Sequence, residues 1–240
     1  MSSRTTDDHG DTPADLTTAL SRLAEALGAE QGELDLQAVL RLAVGAVAHA
    51  DHVGLSLVET GEPPRSLAAS GPVPSQVDAV QHRLDEGPCL QAIDRDELVA
   101  ADDLSSDRTW PRFAAEVTAV TTVRSLFAAR MALDDDRSAA LNFYADRPDA
   151  FDDADFATGT VLAGLISTAI QRDAATRKVE DLEAALDSAR TIGTAVGVLM
   201  AKRLLTREQA FDQLRAASEH LHTTLRAVAQ QVAETGELPV

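Results

Sequence analysis

The stretch that most restricts the fold of this chain is residues 171–192, which contain no glycine and no proline. Small and apolar residues recur there, and just beyond, at alternating spacings of four and three: Ala175, Val179, Leu182, Leu186, Ala189, Gly193, Val196 and Met200. This seven-residue repeat predicts a long helix with one apolar seam. The seam can pack against its own domain or a second copy. We favour the second copy, with a dimer seam at Val179, Leu182, Leu186 and Gly193, because a projecting helix has few other surfaces to cover.

Charge is unevenly distributed along the chain. The 240 residues include 39 acidic and 21 basic side chains, a net charge of −18, which argues against a nucleic-acid partner. Residues 1–181 contain 32 acidic and 15 basic residues, whereas residues 182–240 contain 7 and 6. The last quarter is therefore nearly neutral, and a locally basic face is compatible with its composition.

The composition predicts a soluble globular protein. Hydrophobic residues make up 45% of the chain and charged residues 25%, and no apolar run approaches the roughly 20 residues that cross a bilayer. Residues 1–14 are polar and without periodicity, so we expect a disordered tail rather than a signal peptide, and a cytoplasmic protein. Cys89 is the single cysteine, which excludes an intramolecular disulfide.

The pattern up to Ile170 alternates between helical and strand periods. Two amphipathic helices precede a strand at His52 to Glu59, and prolines and glycines from Pro63 to Pro74 mark turns. Later segments give the order α-α-β-β-α-β-α-β-β-α, with Asp152, Asp153 and Asp155 placed to cap the last helix. This order predicts an α+β fold with an antiparallel sheet flanked by helices.

Four stretches within this order resemble a GAF domain, the small-molecule sensing fold: "DEGPCLQAI", "DRTWPRFA", "TVRSLFAARM" and the segment beginning "LNFYADRPDAF". The resemblance covers residues 15–170. It implies a ligand pocket, with candidate lining residues Cys89, Trp110, Arg124, Asn142 and Tyr144. GAF ligands range from cyclic nucleotides to haem and small metabolites, so the ligand is left open. Cys89, beside Gly87 and Pro88, is alternatively a redox sensor.

The C-terminal quarter predicts two further helices. Thr206 and Gln209 form a capping box, Thr223 or Thr224 caps the last helix, and Gly236 ends it. The motifs A-x-G-x-L-M, E-A-F, L-R-x-x-S and L-R-x-V-A resemble the ANTAR domain, the RNA-binding module of transcription antitermination regulators. Their positions here are Ala195, Gly197, Leu199 and Met200; Gln209, Ala210 and Phe211, with Glu208 one place earlier; Leu214, Arg215 and Ser218; and Leu225, Arg226, Val228 and Ala229. We expect a connecting helix at 171–190 and this domain at 182–240.

A GAF domain followed by an ANTAR domain is an actinobacterial-type arrangement of antitermination regulators. The resemblance implies that the ANTAR domain binds RNA hairpin loops as a homodimer and prevents a terminator from forming. The implied RNA-binding residues are Ala195, Gly197, Met200, Lys202, Arg203, Arg215, Ser218 and Arg226, with Arg190 and Arg207 as further cations. The sequence departs from the family pattern at two places. Val196 stands where the family commonly has lysine, and His222, Thr223 and Thr224 stand where it commonly has Asn and basic residues. The alternative is a ligand-binding or protein-interaction regulator whose ANTAR-like unit only dimerises.

Catalytic and metal-binding motifs are absent from the sequence. There is no phosphate loop, zinc-protease or nucleophile-elbow signature, so we do not expect an enzyme. His49 with His52, and His220 with His222, form pairs without a third ligand in the sequence. Residues 134–136 are three aspartates that could hold a cation, but an exposed hairpin loop is the plainer interpretation. The expected partners are RNA, a second copy and an unidentified small molecule.

Overall fold

The computed structural model describes residues 13–28, 34–95, 97–134 and 136–239. It divides into two compact units, Met1–Asp173 and Ala174–Val240. Most of the predicted tail, residues 1–12, lies outside the described residues. Along the part of the chain that is described, no helix combines the length and the hydropathy needed to cross a bilayer.

The first unit contains a five-stranded antiparallel sheet in the order β2-β1-β5-β4-β3. Its elements are α1 (Pro13–Gly28), α2 (Leu36–Val44), β1 (His52–Glu59), β2 (Arg65–Ala69), α3 (Pro72–Leu84), α4 (Pro88–Arg95), β3 (Val99–Ala101), α5 (Pro111–Val120), β4 (Ser125–Ala132), β5 (Arg137–Ala145) and the start of α6 (Asp153–Arg203). The α+β fold with an antiparallel sheet is confirmed.

One face of the sheet packs against α1, α2 and α6. Alternate residues of the central strands, including Leu55, Phe127 and Leu141, are buried in this core. Phe127 stacks on Phe143 with ring centroids 4.5 Å apart. A Cβ on Gly159 of α6 would lie 2.5 Å from the Phe127 ring, so a glycine is needed here for the helix to approach the sheet.

The other face packs against α3, α4 and α5, and its core contains residues from all three helices. Because side chains alternate along a strand, Gly54 and Ser56 of β1 lie on this face, opposite Leu55. Asn142 of β5 pairs with Gly54 across the ladder and with Ala128 of β4. Small and polar residues therefore occupy the middle of this face, beneath α3 and α4.

The structure has two helices, α3 and α4, between β2 and β3, where the sequence predicted one. The predicted turn residues Pro72 and Pro74 lie in the first turn of α3. Backbone N–H groups in the first turn of a helix need no intrahelical partner, so proline is tolerated there. Asp85 then ends α3 in a left-handed conformation, φ 51°, and Gly87 follows at φ 152° before α4 begins. The turn interpretation of Pro72 and Pro74 was wrong.

The second unit consists of the remainder of α6, α7 (Arg207–His220) and α8 (Leu225–Thr235). The predicted capping box at Thr206 is confirmed, because its hydroxyl accepts from Gln209 N and the Gln209 side chain accepts from Thr206 N. Thr224 caps α8, and Gly236 ends it at φ 76°. The three helices share a small core of Ala195, Val196, Leu199, Ala210, Leu214, Val228, Ala229 and Val232.

The predicted apolar seam of α6 is exposed over most of its length, but one of its residues is buried in this three-helix core. Val179, Leu182 and Leu186 are exposed, by 54%, 56% and 70%. Val196, by contrast, is 5% exposed and packs within the unit. Its assignment to the seam was wrong, because α7 and α8 cover it. The remaining exposed seam is Ala175, Val179, Leu182, Leu186, Ala189 and Gly193, and Met200 beyond Val196 is also exposed.

Candidate ligand and nucleic-acid sites

A buried polar cluster lies between the sheet and α3, and we define it as Ser56, Asp78, Gln81, Asn142 and Tyr144. The first four are at most 1% exposed and Tyr144 is 2% exposed. The Ser56 hydroxyl donates to Asp78 Oδ1 at 3.0 Å, and Asn142 Nδ2 donates to Ser56 Oγ at 2.9 Å. Tyr144 also donates to Asp78 Oδ1, at 3.5 Å. Three secondary-structure elements, β1, α3 and β5, therefore contribute to one hydrogen-bonded network.

The cluster retains unpaired polar atoms. Asp78 Oδ2 and Asn142 Oδ1 are fully buried and have no hydrogen-bond partner among the described residues. Burial raises the pKa of the Asp78 carboxyl, which favours its neutral form. The neighbouring His82 has a pKa lowered by burial, so it supplies little positive charge near neutral pH. Perturbed titratable groups of this kind are more frequent at functional sites than elsewhere.

Cys89 lies at the start of α4, against this cluster. Its backbone N–H donates to Gln81 Oε1 at 3.1 Å. Burial, with the nearby charge of Asp78 as a smaller cause, raises the pKa of the thiol to about 12. The thiolate is the reactive form, so a buried thiol with this pKa does not suit a redox sensor. The structure thus contradicts the redox interpretation of Cys89 but places the residue beside the candidate ligand site.

The other predicted pocket residues divide between the site and its surroundings. Trp110 is 7% exposed and belongs to the same apolar core as Cys89 and Tyr144. Arg124 lies just before β4 and donates to the carbonyls of Thr122 and Val123. Arg124 therefore supports a turn, and its assignment to the pocket stays a prediction.

Sequence reasoning missed three members of the cluster: Ser56, Asp78 and Gln81. Asp78 and Gln81 lie on α3, where polar residues usually mark a solvated helix face. A signal was present in β1, because the two-residue period places Ser56 on the face opposite Leu55 and Leu57, within a strand whose central residues are all buried. A polar residue inside such a strand is evidence of a second buried face.

A second titratable cluster joins the end of α2 to the first turn of α6. His49 Nδ1 lies 2.7 Å from Asp155 Oδ2, and ligand atoms of His49, Asp152 and Asp155 all lie within 4.8 Å of one another. Asp152 Oδ1 accepts from the N–H groups of Ala154 and Asp155. The predicted cap is confirmed, whereas His49 has acidic neighbours that the sequence did not reveal. Helix capping and the His49–Asp155 hydrogen bond account for this arrangement.

The predicted aspartate loop connects β4 and β5, with Asp135 outside the described residues. Asp134 Oδ2 accepts from Arg137 Nε at 2.7 Å. Hydrogen bonds from Arg137 and the adjacent backbone lower the pKa of Asp134. Asp134 is therefore engaged in closing the hairpin.

An apolar groove lies between α6 and α7 in the second unit and has a volume of about 970 Å³. We call it the α6–α7 groove; its lining residues include Ile192, Gly193, Gly197, Met200 and Phe211. Met200 and Phe211 are 37% and 40% exposed. A Cβ added at Gly193 or Gly197 would meet no atom of the described chain within 4 Å. Close approach of α7 therefore does not explain the glycine at position 197.

The candidate RNA-binding cations are largely engaged within the unit. Arg203 donates to Gln213 Oε1 at 2.8 Å, and Arg226 donates to Asp187 Oδ2 at 2.5 Å. Arg215 lies 3.6 Å from Asp212 and 3.9 Å from Glu219. These pairs are all substantially exposed, so each contributes little to stability and can exchange for a phosphate.

Two of the predicted RNA-binding residues have structural roles. Ala195 is fully buried in the three-helix core, which contradicts its assignment to an RNA-contacting surface. Ser218 donates to Thr223 O at 2.6 Å and so stabilises the turn between α7 and α8. Lys202 is exposed and its side chain lies against Gly236, at the C-terminal end of α8, where a positive charge is favourable.

The chain thus combines a helix-flanked antiparallel sheet with a three-helix unit that follows it in the sequence. Comparison with known families identifies the two parts. Residues 33–171 match the GAF domain and residues 180–232 match the ANTAR domain. The chain belongs to the GAF domain family and carries a C-terminal ANTAR domain.

Solved structures similar to this chain include a GAF domain. The GAF domain of a phosphoenolpyruvate-protein phosphotransferase from Coxiella burnetii is 13% identical, with 70% of this chain and 99% of that chain covered and a TM-score of 0.51. A domain of a sensor histidine kinase protein from Sinorhizobium meliloti is 14% identical, with 63% and 99% covered and a TM-score of 0.50. A free methionine-R-sulfoxide reductase from Neisseria meningitidis is 18% identical, with 69% and 97% covered and a TM-score of 0.49. A search of curated proteins finds no match.

Proposed function

We propose that the protein is a signal-responsive transcription antitermination regulator that binds RNA hairpins as a homodimer in the cytoplasm. The observation that carries this proposal is the ANTAR match at 180–232. Residues 15–170 act as the sensor of a small molecule, 171–190 connect, and 182–240 bind RNA. Ligand binding alters the geometry of the two α6 helices, and with it the spacing of two RNA sites.

The exposed seam of α6 supports self-association. Burying a leucine or valine side chain is worth roughly 1.5–3 kcal/mol, and Val179, Leu182 and Leu186 are more than half exposed in a single chain. They occupy successive a and d positions of the repeat, so a second helix with the same repeat covers them. A second copy is therefore the simplest partner.

Charges beside the seam favour a parallel pair. With Val179 at position a, Lys178 occupies position g and Glu183 position e. In a parallel, in-register pair, Lys178 lies beside Glu183 of the partner subunit, and such g–e pairs help to set orientation. An antiparallel pair separates these charges. We expect a Leu182→Cys variant to form a disulfide-linked dimer on mild oxidation, which requires the parallel register.

A titration with RNA tests the function most directly. Full-length protein is titrated with a two-hairpin RNA and with the same RNA carrying scrambled loops, at about 50 and 200 mM KCl. We expect tight binding to the first RNA only, weakening with salt. Equal affinity for both RNAs excludes sequence-specific recognition, and no binding to either excludes the proposal.

Charge variants identify the RNA-contacting surface. Each of Arg203→Ala and Arg226→Ala should reduce the slope of log affinity against log salt by about 0.7 if that side chain contacts a phosphate. Arg108→Ala is the matched control, since it removes the same charge from an exposed position in the GAF domain. A change in the control equal to that of the two variants indicates a general charge effect.

The second candidate is a regulator in which the ANTAR domain only dimerises. The internal pairing of Arg203, Arg215 and Arg226 favours it, as do the departures at Val196, His222, Thr223 and Thr224. It predicts that the alanine variants leave function unchanged while a charge at Leu186 abolishes it. The same RNA titration separates the two candidates.

A further inference from the structure

The exposed seam of α6 has a continuation that the seven-residue repeat does not predict. Gly197, Met200 and Leu204 follow Gly193 at spacings of four, three and four, and all of them are exposed. Leu204, directly after the last residue of α6, is 92% exposed. The exposed stripe therefore reaches the end of the helix, with Gly197 in the place where the strict repeat puts Val196.

Helix geometry explains this extra step of four residues. An α-helix has 3.6 residues per turn, so a strict repeat of 3.5 drifts around the helix by about 20° in every seven residues. Over the three repeats from Ala175 to Val196 the drift reaches about 60°, and Val196 lies in the core with α7 and α8. The step from Gly193 to Gly197 returns the stripe to the face of Val179. Insertions of four residues locally unwind a coiled coil without ending it.

The α6–α7 groove lies along this continuation. Gly193, Gly197 and Met200 line it on α6, and Phe211, which is 40% exposed, lines it on α7. A Cβ on either glycine would meet no atom of the described chain within 4 Å, so the space above both backbones is open. Glycine costs a helix interior about 1 kcal/mol relative to alanine. Close approach by a second helix gives both glycines a physical reason.

Leu204 is a separate observation in favour of an external apolar partner. Its φ is 55°, the left-handed conformation that ends many helices and ordinarily selects glycine. A leucine in this conformation carries a backbone cost, and at 92% exposure it gains little packing energy within its own chain. An apolar surface contributed by another chain accounts for a leucine at this position.

Length and charge favour a second copy of α6 over RNA as the occupant of the groove. The seam as far as Gly193 is shorter than three seven-residue repeats, whereas a coiled coil typically extends over three or four. Continuation to Leu204 supplies the fourth. The charged residues that line the groove are Arg207, Glu208 and Asp212. Their net negative charge disfavours a polyanion.

We propose that the dimer interface continues past Gly193 to Leu204, and that α6 of a second copy occupies the α6–α7 groove against Gly197, Met200 and Phe211. The inference rests on the proposed homodimer and extends its interface into the ANTAR domain. It assigns Gly197 and Met200 to contacts between subunits rather than to contacts with RNA. The two ANTAR domains are then joined directly, because the α6 helices stay paired up to the turn before α7.

Paired cysteine variants test the continuation in the full-length protein without RNA. Met200 lies 18 residues after Leu182, which is five turns, so both side chains leave α6 in the same direction. Cys89 is buried with a thiol pKa of about 12, so the introduced cysteine is the reactive thiol. A disulfide needs Cα atoms within about 7 Å. We expect both Leu182→Cys and Met200→Cys to form disulfide-linked dimers at similar rates on mild oxidation.

Lys202→Cys is the matched control, because position 202 is exposed on the opposite side of α6, and it should stay unlinked. A disulfide in Leu182→Cys but not in Met200→Cys means that the helices diverge after the seam. That result overturns the inference and leaves the proposed homodimer intact. No disulfide in either variant rejects both. Equal linkage of Lys202→Cys indicates random collision and also overturns the inference.

Leu204→Gln measures the strength of the continuation. Since the side chain is exposed in a single chain, the variant should fold normally but weaken dimerisation about tenfold, as measured by sedimentation equilibrium. Leu98→Gln, at an exposed leucine of the GAF domain, is the matched control and should dimerise normally. Weaker RNA binding by Leu204→Gln with unchanged dimerisation identifies RNA as the occupant of the groove and overturns the inference.

Discussion

The GAF domain and the C-terminal unit are incomplete in opposite ways. The first encloses two polar atoms, Asp78 Oδ2 and Asn142 Oδ1, that have no hydrogen-bond partner in the described parts of the chain. The second exposes apolar side chains without packing partners, Val179, Leu182 and Leu186. The exposed side chains favour the proposed packing of α6 against the same helix of a second copy.

The largest expected effect is on the exposed seam. Leu186→Asp places a charge at the centre of the proposed dimer interface and should weaken dimerisation by about 100-fold or more, since two buried leucines are lost. Sedimentation equilibrium measures the change. Ala184→Asp, on the side of the same helix that faces away from the seam, is the control, and its dimer should dissociate far less. Equal dissociation by both variants rejects the seam.

The next effect concerns the connection that closes the buried site. Gly87→Ala should destabilise the GAF domain by about 2–4 kcal/mol in urea unfolding, because φ 152° disfavours a side chain and the new Cβ meets Gln81. Gly61→Ala has φ 84° with no atom of the described chain within 4 Å, so its cost is limited to backbone strain. A smaller loss at Gly87 than at Gly61 contradicts the tight contact.

The pH dependence of stability tests the buried charge. Because the folded pKa of Asp78 is raised, the folded state holds a proton that the unfolded state loses above its pKa of about 3.9, and stability falls as pH rises from there through the folded pKa. Asp78→Asn removes this loss and should raise the free energy of unfolding at pH 8 by about 1–3 kcal/mol.

The same variant should change stability little at acidic pH, where Asp78 is protonated in both states. Urea unfolding at several pH values makes the comparison. His82 acts in the opposite direction: its folded pKa is lowered, so its contribution is lost as pH falls below about 6.5. A stability gain in Asp78→Asn that is independent of pH contradicts the assignment of a raised pKa.

Gly193→Ala should change folding and assembly in opposite directions. Alanine favours a helix by roughly 1 kcal/mol over glycine, and nothing in the described chain obstructs a Cβ at this position. The variant should therefore resist urea slightly better as a monomer, yet dimerise more weakly. Gly164→Ala, on the same helix within the GAF domain and also unobstructed, should show only the gain in stability. If Gly193→Ala dimerises normally, close helix approach there is excluded.

The smallest expected effect comes from a single exposed ion pair. Asp187→Asn releases Arg226 from its carboxylate partner and should raise RNA affinity about two- to five-fold, in keeping with the small worth of exposed pairs. Asp181→Asn, on the same helix, is the control for net charge. Equal gains in both variants attribute the change to general electrostatics.

Periodicity was sufficient to predict the elements whose packing is local. The α6 helix, the capping box at Thr206 and the strands β1, β4 and β5 follow from residue spacing and turn chemistry. The burial of Val196 could not be predicted from residue spacing, because this residue fits both the apolar seam of α6 and the face of α6 that packs against α7 and α8. Only the packing of α7 and α8 shows that Val196 belongs to the second face. The α3–α4 pair was missed because prolines begin these helices.

The candidate ligand site was predicted only in part. Cys89, Trp110, Asn142 and Tyr144 were identified through the GAF resemblance, but Asp78 was not, because an acidic residue on a helix ordinarily faces solvent. Its burial depends on the small residues of the sheet beneath it, which belong to strands distant in sequence. The free acceptors are visible only when every hydrogen bond around them is counted.

Trp110 gives the molecule a built-in optical reporter. It is the single tryptophan of the chain, and it is buried in the core that also contains Cys89 and Tyr144. Tryptophan fluorescence therefore reports on changes in the GAF domain alone, because the ANTAR domain contains no tryptophan. The proposed binding of a ligand and of RNA can be followed in one sample, the first by native emission and the second by a label on the RNA.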